Sequence, residues 1–157
     1  MIKLKNILTE VGEGTATPYK FKFIPLKKVF SNRDRHSYRF TTDSKLEYEV
    51  DLFKTIASEN RFTKLIVMFN VVGGSYSDVT NKGEQFKIMA TVIAIIKADM
   101  DLIVSEGNPE VKVIEFTPEK SDETDNRRAN FYKAYIQKQL PNAHVDYSQG
   151  EYRIRLS

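Results

Sequence analysis

The chain has 157 residues, 41% of them hydrophobic and 29% charged, with a formal net charge of +3 and no cysteine. That size and balance fit one domain able to bury about two-thirds of its unfolded surface, and they exclude a disordered chain. The missing thiols exclude disulfides, thiolate nucleophiles and thiolate metal ligands, as suits a reducing compartment.

The N-terminus, MIKLKNILTEVGEG, is too polar for a signal peptide, and no stretch of about 18 residues is free of charge. A soluble, unexported protein without a membrane partner is expected. Leu4, Ile7, Leu8 and Val11 have the spacing of a short amphipathic helix that Gly12 and Gly14 can end, a docking helix for an edge of a sheet. Tyr19, Phe21 and Phe23 alternate with Lys20 and Lys22 as in a half-buried strand, and Pro25 stops it. Leu26 to Ser37 is polar and basic without a period and reads as a loop. From Tyr19 to Phe40 seven cations stand against the single acid Asp34, a net of +6, so the rest of the chain carries −3.

A hairpin follows: Tyr38 to Thr41, a turn around Asp43 and Ser44, then Leu46, Tyr48, Val50 and Leu52 alternating with Glu47, Glu49 and Asp51. A one-residue slip would bury the carboxylates, which pins the register. Lys64 to Val71 is a nearly continuous apolar run, the pattern of a central strand covered on both faces. Asn81 and Glu84 have capping-box spacing and open a helix to about Val104. Phe86, Met89, Ala90, Ile93, Ile96 and Met100 form one apolar face of it, and Ile88, Val92, Ile95 and Leu102 a second, so it should be mostly buried.

Val111 to Thr117 reads as a strand. After Pro118, the acids Glu119, Asp122, Glu123 and Asp125 favour the start of a helix that runs to Leu140 before Pro141, with Ala129, Tyr132, Ile136 and Leu140 inward and Phe131 and Tyr135 at its flanks. A second hairpin, His144 to Tyr147 and Glu151 to Leu156, closes the chain. The expectation is one α+β domain over residues 1–157: a docking helix (1–12), antiparallel strands (18–71) and a helix-strand-helix-hairpin unit (81–157). Its sheet should be mixed or mostly antiparallel, with six to seven strands and two long helices.

From the central hairpin onward this order resembles that of the GNAT superfamily of coenzyme A-dependent N-acyltransferases. The resemblance implies a pyrophosphate-binding turn of the pattern Gln/Arg-x-x-Gly-x-Gly/Ala before the first long helix. Here that stretch reads Thr80, Asn81, Lys82, Gly83, Glu84, Gln85, in which only Gly83 matches and Glu84 would set a carboxylate beside the phosphates. Lys82, Gly83 and Asn126 are the cofactor-binding candidates it implies. The family's Asn-x-x-Ala, followed by an acid tyrosine, begins at Asn126 and Ala129, but Tyr132 comes one residue early and Tyr135 two late. The chain also resembles small uncharacterised proteins of tailed bacteriophages in its Lys- and Leu/Ile-rich start and its Arg-Arg-Ala-x-x-Tyr helix, which implies a host-cytoplasmic or virion location and assembly partners.

Catalytic candidates are Tyr132 and Tyr135 as acids and Glu115, which interrupts an apolar strand, as a base. Lys20, Lys22, Lys27, Lys28, Arg33 and Arg35, interleaved with aromatics, are candidates for binding anions or nucleic acid. His36 and His144 are far apart, without metal-ligand spacing, so no metal is expected. Three functions follow: a non-catalytic binding or structural protein with a degenerate cofactor site and no cofactor; an acyltransferase using acetyl-coenzyme A; a nucleic-acid binder.

Overall fold

A computed structural model of the chain describes residues 17–25, 35–57, 61–72, 82–117, 126–148 and 151–156. The expected N-terminal helix, Lys27, Lys28, Arg33, and the acids after Pro118 lie outside them. The described elements are β1 (Phe21–Ile24), β2 (Arg35–Thr41), β3 (Glu47–Ala57), β4 (Phe62–Val71), α1 (Lys82–Ser105), β5 (Val111–Thr117), α2 (Asn126–Gln139), β6 (His144–Ser148) and β7 (Glu151–Arg155). The α+β expectation holds: seven strands form one mixed sheet in the order β1-β2-β3-β4-β5-β7-β6. Every neighbouring pair is antiparallel except β4 and β5, which run parallel on either side of the α1 crossover.

Period-2 alternation divides the side chains between two faces. On the inner face Tyr38, Val50, Leu52, Leu65, Val67, Ile114, Val145 and Ile154 join the buried residues of α1 and α2 in one hydrophobic cluster. A row of rings crosses this face from edge to edge. Tyr19 stacks on Phe40, Phe40 on Tyr48 and Phe69 on Phe116, with Tyr48–Phe69, Phe116–Tyr152 and Tyr147–Tyr152 as tilted contacts between them. Such pairs add about 0.5–1.5 kcal/mol each beyond the area they bury.

Both apolar faces of α1 are used, with Ile88, Val92 and Ile95 as buried as Met89, Ile93 and Ile96, while Met100 and Leu102 near its end are half-buried. Its C-terminus closes in a Schellman motif: Gly107, at a φ of 87°, donates to Val104 O (3.0 Å), and Asn108 donates to Ile103 O (3.2 Å).

Three expectations need correction. The loop expected to Ser37 ends earlier, because Arg35, His36 and Ser37 already pair with Phe53, Leu52 and Asp51. β4 is not covered on both faces by described elements: Leu65, Val67 and Phe69 are buried, but Met68 is 50% exposed, since α1 and α2 both pack on the inner side. Tyr135 is not at a flank of its helix but fully buried next to Ile136.

Candidate functional site

The first turn of α1 is where the acyltransferase resemblance asks for a phosphate cradle. Lys82 and Gly83 open that helix and Asn126 opens α2; the placement of their side chains, and of Tyr132, lies outside the described residues. Glu84 is described, and it is occupied. Its carboxylate is 5% exposed and accepts from Ser44 N (2.6 Å) and Ser44 Oγ (2.9 Å), gripping the β2–β3 turn. That turn carries Lys45 at a φ of 70°, a conformation costly for a side chain with a Cβ, so the grip stabilises a strained loop.

The proposed acid and base do not meet. Tyr135 lies on the inner side near Phe86, and burial pushes its phenol above the ordinary range. Glu115 is on the outer face, alternating with the inward Ile114 and Phe116, and its carboxylate bonds Lys64 Nζ at 2.7 Å. The acyltransferase reading also needs β4 and β5 to splay near Asn70 and Phe116. The ladder runs from Lys64–Val113 to Met68–Thr117, past Phe116, and the Phe69 and Phe116 rings stack 5.2 Å apart over it; Asn70 lies beyond its last pair. Beneath α1 and α2, Met89, Ile93, Phe116, Ile136 and Ile154 line an apolar crevice of about 10 Å³, room for about one water.

Of the basic candidates, Lys20 and Lys22 are exposed, with Lys22 paired to Arg39 on the face of β1 opposite Phe23, while Arg35 is half-buried on the outer face. Arg39 is held by Glu47 (3.3 Å) and Glu49 (3.8 Å). Among the described residues the structure therefore brings Lys20 and Lys22 together and sets Arg35 apart from them.

A cluster that sequence reasoning missed lies where β2 meets the end of α1. Tyr38 OH donates to Asp99 Oδ1 at 2.7 Å, and His36 Nδ1 lies 2.7 Å from the same oxygen. His36 Nε2 faces Glu106 Oε1 at 3.7 Å, and Phe23 meets the imidazole edge-on. Asp99 is 1% exposed, and its Oδ2 is enclosed without a hydrogen-bond partner among the described residues. Burial, then the bond to Asp99, raises the Tyr38 phenol well above its ordinary range. The histidine's outward nitrogen faces the Glu106 carboxylate, and the cluster ties β2 to α1. The sequence signals it faintly, because Asp99 stands between Lys97 and Asp101 and only the fold tells the buried acid from the exposed one.

Among the described residues no group of three His, Asp or Glu could hold a metal ion, and no helix is long and apolar enough to cross a membrane. A scan against protein-family models finds no match, and a search of curated proteins finds none either.

Proposed function

We propose that this is a non-catalytic binding or structural protein, phage-encoded or virion-associated, on an acyltransferase-like scaffold whose cofactor site is degenerate. The observation that carries the reading is the separation of Glu115 and Tyr135 by the thickness of the sheet, which leaves the described acid and base without a common substrate. The occupied Glu84 and the pairing of β4 with β5 at Phe116 support it. Calorimetry with acetyl-coenzyme A tests it: no binding is expected. A Kd tighter than ~10 μM, abolished by Gly83→Leu, overturns the reading in favour of the acyltransferase.

A second reading, nucleic-acid binding, is favoured by the exposed Lys20 and Lys22, neighbouring cations on one face of the β1 segment able to hold phosphates. Binding to a single-stranded oligonucleotide should weaken steeply with salt and with Lys20→Glu/Lys22→Glu. Affinity indifferent to both removes this reading.

A further inference from the structure

We draw no further inference here: the strongest candidate, the side-chain cluster of His36, Tyr38, Asp99 and Glu106 where β2 meets the end of α1, belongs to the site already described and turns outward only His36 Nε2 and Glu106 Oε1, which already face each other at 3.7 Å.

Discussion

Tyr38 and His36, two residues apart on β2, converge on a single oxygen of Asp99 in α1, each at 2.7 Å. Two donors on one buried carboxylate oxygen make this the main polar joint between sheet and helix. Removing the acceptor would strand both donors, at about 1–3 kcal/mol for each unsatisfied group. Asp99→Ala should therefore lower stability by about 3 kcal/mol in urea unfolding. Tyr38→Phe should cost less, and the two changes should fall short of additivity when combined, because they remove one shared bond.

The raised phenols of Tyr38 and Tyr135 set a direction with pH. Each binds its proton more tightly folded than unfolded, so its contribution is fully present below the unfolded value of 10.0 and is lost as pH rises from there toward the higher folded value. Urea midpoints should hold below pH about 10 and fall above it. Tyrosinate absorbance should show these two rings still protonated at pH about 10, until the fold gives way.

Glu84 offers a test of the β2–β3 turn. Glu84→Ala removes both bonds to Ser44 and should cost about 1–3 kcal/mol, the range for charge-assisted bonds to a buried group. Adding Lys45→Gly should recover part of that loss, since glycine accepts the φ of 70° without strain. Thermal unfolding of the single and double variants measures both effects.

Adjacent residues of β4 should respond very differently to truncation. Leu65 is fully buried under α1, and Leu65→Ala should cost about 2–5 kcal/mol; Ile66, half-buried on the other side, should cost less than about 2 kcal/mol in dilute protein. Equal losses would contradict the one-sided placement of the described helices.

Glu115→Gln should change stability by no more than about 1 kcal/mol, as for a partly exposed ion pair with Lys64. A larger loss by urea unfolding would mean that the pair is more deeply engaged than its geometry shows.

Much of the fold is legible in the sequence because alternation and capping are local signals. Tyr48, Val50 and Leu52 announce β3, Val111 to Thr117 bound β5 without error, and Tyr152 and Ile154 fix β7. The start of β2 is not legible, because His36 is a polar residue pointing inward whose partner Asp99 lies 63 positions away. A periodicity argument registers an inward histidine as a break in the pattern. That the described helices cover only one face of β4 escaped for the converse reason: Ile66 and Met68 are apolar whether or not a helix lies over them. The site was harder still, since the sheet decides that Glu115 and Tyr135 look in opposite directions, and chain order says nothing of faces.

The ring row that runs from Tyr19 to Tyr147 also bears on how the chain finds its shape. Between β1 and β4 each strand pairs with its sequence neighbour, so the contacts of Phe40 with Tyr48 and of Tyr48 with Phe69 close short loops. Phe69 meets Phe116 only after the whole of α1 has crossed over, 47 positions later, and that closure carries the largest loop entropy along the row. Phe116 thus marks the seam across which the sheet's first four strands meet its last three, the most distant closure in the row.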